Sequence, residues 1–176
     1  MPRLSHSQLQ TYKQCQLKYR FQYIDKLEST FDQTVYTLLG TAVHSALEFL
    51  YKQVSNYQTP DIDSVIAKMK ESWNAEKDAL VEPVTTEVEE QFLHRGESYI
   101  NRYYKTYTPF NQARPRWFEQ RIAYKLDEDT TISGIIDRLD SQGDTLYIND
   151  YKTNQKVNPD DHDAHEEQLT IYGLAA

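Results

Sequence analysis

The sequence predicts an α+β fold with N-terminal helices, a three-stranded antiparallel meander and a C-terminal helix. Apolar residues recur every three or four positions through about the first 110 residues, a period typical of amphipathic helices. From residue 115 onward the period shortens to two, which is typical of strands. A segment bounded by Pro109 and Pro115 separates the two patterns. Because 176 residues are enough for one sizeable core, we expect residues 1–176 to form a single domain.

Four helices are predicted before Pro109. Ser5 or Ser7 can cap the first, which is interrupted near Cys15, and the others are expected near residues 36–53, 61–80 and 86–107. The apolar residues that define these helices are Leu9, Tyr12, Leu17, Phe21 and Ile24, then Leu39, Val43, Ala46, Leu47 and Leu50, then Ile62, Val65, Met69 and Trp73, and last Val88, Phe92, Tyr99 and Tyr103.

Three short strands are predicted near residues 117–126, 131–139 and 145–151, where apolar and polar residues alternate. Turn-forming residues at 127–129 and 141–144 join them, so the strands should form an antiparallel meander. A last helix is expected near residues 164–176.

Charge and cysteine content exclude several classes of protein. Lys and Arg number 19 against 27 Asp and Glu, so a phosphate-binding surface must be local. A single cysteine, Cys15, excludes an internal disulfide and a four-cysteine metal site built from this sequence alone. We expect no membrane association and a cytoplasmic location, because the sequence has neither a bilayer-spanning apolar run nor a signal peptide. Five glycines in total include no phosphate-cradling loop, which argues against a nucleotide cofactor.

Two of the predicted strands carry acidic residues on an apolar face. Strand alternation groups Asp137 with Ile135 and Leu139, and it groups Asp150 and Lys152 with Leu146 and Ile148. A carboxylate beside aliphatic side chains costs several kcal/mol unless a cation compensates its charge. Two such acids on neighbouring strands therefore indicate a divalent metal, and oxygen ligands favour Mg²⁺ or Mn²⁺.

Other polar residues fit phosphodiester hydrolysis at such a site. Lys152 lies one pleat from Asp150, where an ammonium could orient the attacking water and offset developing negative charge. Gln168 and Tyr172 share a face of the last helix, and their polar ends could reach a phosphate or the lysine. His44 on the second helix offers an imidazole ligand.

Five motifs in chain order resemble the RecB-like branch of the PD-(D/E)XK nuclease superfamily, which includes RecB, AddB and the CRISPR adaptation nucleases. They are Leu4-Ser-His-Ser-Gln-Leu with Tyr12, Cys15 and Lys18-Tyr-Arg-Phe; Gly40-Thr-Ala-Val-His44; Gly134-Ile-Ile-Asp137-Arg; Asp150-Tyr-Lys152-Thr; and Gln168-Leu-Thr-Ile-Tyr172. The motifs extend from residue 4 to residue 172, so the resemblance covers nearly the whole sequence.

The resemblance implies a restriction-endonuclease-like core around a metal-dependent DNA cleavage site. It implies that His44, Asp137, Asp150 and the carbonyl of Tyr151 bind the metal, and that Lys152 positions or activates water. It also implies that Gln168 and Tyr172 orient Lys152 and the DNA end. Glu119 falls where relatives often carry a further acid.

Two features depart from the family pattern. The fourth core strand of the family would follow Ala176, so we expect the sequence to be truncated at its C-terminus. Cys15 matches the first cluster cysteine of iron–sulfur relatives, so such a cluster is possible only in a longer parent protein.

The predicted function is a metal-dependent deoxyribonuclease, exonuclease-like on ends or single strands, in DNA repair, recombination or defence. A helicase or another repair or defence subunit is a possible partner. One alternative is a catalytically inert nucleic-acid-binding or helicase-docking module, and another is a purely structural domain.

Each residue also has a structural alternative. His44 could be an ordinary helix histidine, and the two acids could be strand-end residues paired with Arg138 or Lys152. Gln168 and Tyr172 could form a polar helix face. His162 and His165 have a spacing compatible with metal binding but are expected in an acidic loop without a third ligand. The basic residues Lys13, Lys18 and Arg20 could be a solvated face or one edge of a DNA groove.

Overall fold

The computed structural model describes residues 3–27, 34–80, 82–153 and 161–175. These residues form α-helices, strands and two short helices of other types. The α-helices are α1 (His6–Gln14), α2 (Gln16–Tyr19), α3 (Val35–Ser55), α4 (Ile62–Glu76), α5 (Thr86–Tyr107) and α6 (Asp161–Ala175). The strands are β1 (Arg3–Ser5), β2 (Arg114–Lys125), β3 (Thr131–Gln142) and β4 (Thr145–Asn149). A π-helix follows α2 at Arg20–Ile24, and a 3₁₀ turn follows α4 at Lys77–Ala79. The predicted α+β class is confirmed.

The chain divides into two compact units. The first unit comprises Met1–Thr30, Glu119–Ile136 and Asn154–Ala176, and the second comprises Phe31–Phe118 and Asp137–Thr153. Strands β2 and β3 each contribute residues to both units.

The second unit has an apolar core built from α3, α4 and α5. The predicted apolar face of α3 supplies the largest share, and Trp73 and Met69 of α4 are fully buried against it. A Cβ added at Gly96 of α5 would lie 2.5 Å from the sulfur of Met69, so the glycine allows close packing there. Side chains of Thr34, Asp61 and Thr85 cap the three helices, which explains why each begins within a residue or so of its predicted start.

The sheet contains one more strand than the predicted meander. Its order is β1-β3-β2, and β4 also pairs with β3. β1 runs parallel to β3 and pairs residues 3–5 with residues 131–133. β4 runs antiparallel to β3, and its last pair joins Asn149 to Arg138.

Two details of the strand prediction were wrong. β4 ends at Asn149, so Asp150 and Lys152 follow the strand instead of lying on one of its faces. Within β3, Ile135 is exposed, while Ile136, Arg138 and Asp140 on the opposite face are buried. The face that alternation assigned to Ile135 is therefore only partly buried, since Leu139 on that face is buried and Ile135 is not.

In the first unit, Ser5 caps α1 in a reciprocal arrangement with Gln8, as the sequence predicts for Ser5. Cys15 separates α1 from α2, which confirms the predicted interruption. In α1, α2 and the π-helix no side chain is buried. Among the described residues, no helix is both long enough and apolar enough to cross a membrane.

Candidate metal centre

The second unit brings three predicted ligands together. His44 lies in the middle of α3, where its neighbours Val43 and Leu47 anchor the helix in the core. Asp137 lies on β3, and Tyr151 follows β4 by two residues. Helix, strand and the segment after β4 thus each contribute one group.

Polar atoms of His44, Asp137 and Tyr151 lie 2.6–3.5 Å from one another. The backbone N–H of Tyr151 donates to Asp137 Oδ2 at 2.6 Å. His44 Nε2 lies 3.0 Å from the carbonyl oxygen of Tyr151, and His44 Nδ1 lies 3.5 Å from Asp137 Oδ2. The imidazole therefore faces two of the other predicted ligands, one with each ring nitrogen.

Asp150 and Lys152 flank Tyr151 and form an ion pair. Lys152 Nζ lies 2.6 Å from Asp150 Oδ2, and the lysine side chain is 40% exposed while that of Asp150 is 12% exposed. The ammonium is thus accessible to solvent, whereas the carboxylate is largely covered. This ion pair matches the structural alternative in which Asp150 is paired with Lys152.

Burial controls the electrostatics of Asp137. Its side chain is 11% exposed, and this burial raises the pKa of the carboxyl above its ordinary value. The Tyr151 N–H, His44 and Lys152 lower the pKa and Asp150 raises it, but burial prevails. The ionised form of Asp137 is therefore undercompensated by the protein's own positive charge.

The donor set fits a hard divalent cation. Two largely buried carboxylates, a backbone carbonyl and an imidazole are available, and oxygen-rich sets of this kind suit Mg²⁺ or Mn²⁺. A cation would also offset the charge of Asp137, which makes these residues a candidate metal centre.

The sequence analysis did not identify the contacts of a buried arginine, Arg138, beside the centre. Arg138 forms an ion pair with Asp140 within β3, and its guanidinium lies 3.4 Å from the ring centroid of Tyr51. We call this group the Arg138 cluster; its members are Tyr51, Tyr103, Arg138, Asp140, Asn149 and Tyr151. The sequence analysis considered Arg138 as a partner of Asp137, but the residue two positions further on shares its face and is its actual partner.

Gln168 and Tyr172 belong to the first unit. Gln168 Nε2 donates to the hydroxyl of Tyr172 at 2.8 Å, as their spacing of four on α6 allows. Tyr172 is buried, and a Cβ at Gly134 would lie 2.5 Å from its ring, so the ring packs directly over that glycine. Glu119 of β2 also belongs to the first unit, and its φ of 46° is uncommon for a residue other than glycine.

The remaining candidates lie in the first unit. His162 and His165 are on α6 and not in a loop, and the ligand atoms of His162, Asp163 and Glu166 lie within 4.8 Å of one another on an exposed surface. The sequence analysis was therefore wrong to expect a loop there, and the group contains His162 but not His165. The thiol of Cys15 is exposed and caps α2 by accepting a hydrogen bond from the backbone N–H of Lys18.

Comparison with known proteins assigns the chain to a family. A family model described as the PD-(D/E)XK nuclease superfamily matches residues 3–176. No curated protein and no solved structure matches the chain at a significant level. The matched span begins with β1 and includes every residue of the candidate metal centre.

Proposed function

Because the chain belongs to the PD-(D/E)XK nuclease superfamily, we propose that it is a divalent-metal-dependent deoxyribonuclease whose centre is built from His44, Asp137 and the segment 150–152. One observation supports this most strongly. His44, Asp137 and the Tyr151 backbone lie within 3.5 Å of one another, directly beside the Asp150–Lys152 pair. An acid on one strand followed by Asp-Tyr-Lys after the next is the arrangement that gives the superfamily its name.

The proposed roles follow from the chemistry of each side chain. His44, Asp137, Asp150 and the Tyr151 carbonyl hold Mg²⁺ or Mn²⁺, which when bound acidifies water and neutralises charge on the phosphate. Lys152 orients the water and donates hydrogen bonds to a phosphate oxygen as negative charge develops there. Its partial exposure leaves the ammonium accessible to a substrate.

The proposal extends to the accessory residues and the substrate. Gln168 and Tyr172 are proposed as accessory catalytic residues that position Lys152 and the DNA end, in keeping with the RecB-like motif they resemble. We propose action on DNA ends or single strands, in repair, recombination or defence, with a helicase as a possible partner.

A local surplus of positive charge supports DNA as the substrate. The described N-terminal residues 3–27 contain five basic residues and one acidic residue, in a chain of net charge −8. Lys13 pairs with Glu167 and Arg20 with Asp25, and both cations remain more than half exposed. Exposed aromatic rings of Tyr12 and Phe21 lie in the same segment, and aromatic rings can stack on unpaired bases.

Cleavage of labelled DNA by the Asp150→Ala variant tests the proposal. Wild type should cut end-labelled single- or double-stranded DNA in Mn²⁺ and not in EDTA, and the variant should lose about 10³-fold or more in rate. Its thermal stability should be retained, because the change removes a largely buried carboxylate. Asp144→Asn is the matched control, since Asp144 is an exposed acid in the β3–β4 turn of the same unit.

Two results would contradict the proposal. Undiminished cutting by Asp150→Ala would exclude the proposed centre. Tight DNA binding by a wild type that does not cut at millimolar Mn²⁺ would favour the inert binding module. Circular substrates and RNA, tested in parallel, separate exonuclease from endonuclease action and DNA from RNA preference.

A further inference from the structure

The residues at the heart of the proposed centre lie beyond the end of a strand. The last pair of the β3–β4 ladder joins Arg138 to Asn149, so Asp150, Tyr151 and Lys152 extend past the point where strand pairing fixes the backbone. A centre that holds a metal must nevertheless keep its ligands within a fraction of an ångström. Contacts other than the ladder must therefore position this segment.

We propose that Arg138 is the positioning residue of the metal centre and that it acts through the side chain of Tyr151. Its Nη1 donates to the Tyr151 hydroxyl at 2.6 Å, the shortest side-chain bond that the arginine makes. Its Nη2 donates to Asn149 Oδ1 at 2.9 Å. The guanidinium thus holds the residue at the end of β4 and the residue two positions beyond it.

The backbone of Tyr151 connects the Arg138 cluster to the proposed metal ligands. The residue's N–H donates to Asp137, and its carbonyl faces His44 and is itself a proposed ligand. Its hydroxyl end is fixed in the Arg138 cluster, while its amide groups lie among the ligands. A displacement of the ring would therefore move the peptide that joins Asp150 to Lys152.

All three nitrogens of the guanidinium donate hydrogen bonds within the cluster. Nε donates to both carboxylate oxygens of Asp140, and Nη1 also donates to the Tyr103 hydroxyl at 3.1 Å. The plane rests on the ring of Tyr51, whose hydroxyl lies 2.9 Å from that of Tyr103. A lysine has no planar fork to make these bonds together, so only arginine fits the position.

The tyrosines are in the protonated form that such a network needs, because the ordinary pKa of a tyrosine hydroxyl is about 10. Burial raises the pKa of the Tyr51 hydroxyl further, and the nearby guanidinium only partly opposes this effect. The rings of Tyr51 and Tyr151 are thus neutral near pH 7, and the acid that pairs with Arg138 among the described residues is Asp140. Within the described residues no buried side-chain polar atom lacks a partner, so the network is complete.

Two tyrosine variants separate positioning from simple stabilisation. Tyr151→Phe removes the hydroxyl that links Arg138 to the centre but leaves the ring and the backbone in place. Tyr103→Phe removes another hydroxyl bonded to the same Nη1 atom, on α5 and outside the segment 150–152. Each change removes one hydrogen bond donated by Arg138 Nη1, but only Tyr151→Phe removes the bond between Arg138 and the segment 150–152.

The primary measurement is amide hydrogen exchange at residue 151 in metal-free protein with EDTA. Tyr151→Phe should speed exchange of that amide by about fivefold or more, because its bond to Asp137 loosens. Tyr103→Phe should leave the amide near the wild-type rate. Mn²⁺ affinity by calorimetry should fall about tenfold in Tyr151→Phe and stay near wild type in Tyr103→Phe.

The possible outcomes are distinguishable. Equal exchange and equal Mn²⁺ affinity in the two variants would reduce the cluster to a structural role and overturn the inference. Wild-type behaviour of Tyr151→Phe in both measurements would also overturn it. The affinity measurement rests on the proposed function; if wild type binds no Mn²⁺, that function fails, whereas the exchange measurement still decides whether Arg138 positions residue 151.

Discussion

The two groups of predicted site residues are held in place by different physical means. In the second unit, His44, Asp137 and Tyr151 are connected to one another and to Arg138 by hydrogen bonds and ion pairs. In the first unit, Gln168 donates a hydrogen bond to Tyr172, and the ring of Tyr172 packs over Gly134. The first arrangement depends on charge balance and the second on shape, so they should fail under different substitutions.

The largest expected effect comes from removing the charge at the centre of the Arg138 cluster. Arg138→Met should lower the free energy of unfolding by about 3–5 kcal/mol, because Asp140 would remain buried without its partner. Urea denaturation followed by circular dichroism measures this change.

A double variant provides the control for Arg138→Met. Asp140→Leu added to Arg138→Met removes both charges, so the double variant should be more stable than Arg138→Met alone. If the double variant is the less stable of the two, the cost arises from lost packing around the arginine and not from an unpaired carboxylate.

The candidate site residues could be selected from the sequence, but the residues that position them could not. Asp137, Asp150 and Lys152 stood out because acids among aliphatic residues are costly without a cation. Arg138 attracted attention only as a partner for a neighbouring acid, since a sequence pattern does not show that both faces of β3 are covered. The end of β4 at Asn149 was missed for a related reason: apolar alternation continues after ladder pairing has stopped.

A smaller effect is expected from adding one methyl group in the first unit. Gly134→Ala places a Cβ 2.5 Å from the Tyr172 ring, so the ring must move, at a cost of about 1–3 kcal/mol in the free energy of unfolding. The same variant should loosen the Gln168–Tyr172 hydrogen bond, seen as a shift of the Gln168 side-chain amide resonances.

Coupling between the two positions checks this explanation. In a Tyr172→Leu background the methyl group meets a smaller side chain, so Gly134→Ala should cost at least about 0.5 kcal/mol less there. Equal costs in both backgrounds would show that the glycine is needed for its backbone and not for the ring above it.

The fold was predictable where a helix has a buried face and a cap. The helices of the second unit start at or next to their predicted residues because Thr34, Asp61 and Thr85 supply caps and the apolar period is long. The three residues of β1 were missed because so short a segment shows no period, and its pairing with residues 131–133 is a contact between distant parts of the sequence.

The smallest expected effect lies in the helical core of the second unit, away from both groups of site residues. Glu89 accepts hydrogen bonds from the buried indole of Trp73 at 2.9 Å and from Lys77 at 2.8 Å. The bond from Lys77 is the main cause that lowers the pKa of Glu89, with a further contribution from Trp73. Because Lys77 and Glu89 are both partly exposed, Glu89→Gln should cost only about 0.5–1 kcal/mol near neutral pH.

The pH dependence of that cost distinguishes it from the effects at the two site groups. A carboxyl whose pKa is lower in the folded state stabilises the protein above its unfolded-state pKa, and this stabilisation is lost as the pH falls through the folded-state pKa. The difference between wild type and Glu89→Gln should therefore be present near pH 7 and shrink as the pH falls through the folded-state pKa of Glu89, in urea denaturation followed by tryptophan fluorescence. Glu90→Gln, a change at an exposed acid of the same helix, should show no comparable difference at either pH. A loss of unfolding free energy in Glu89→Gln that persists unchanged in acid would mean that Glu89 acts through the shape of its contact with Trp73. The helical core would then resemble the packing of Tyr172 over Gly134 more than the charge-balanced Arg138 cluster.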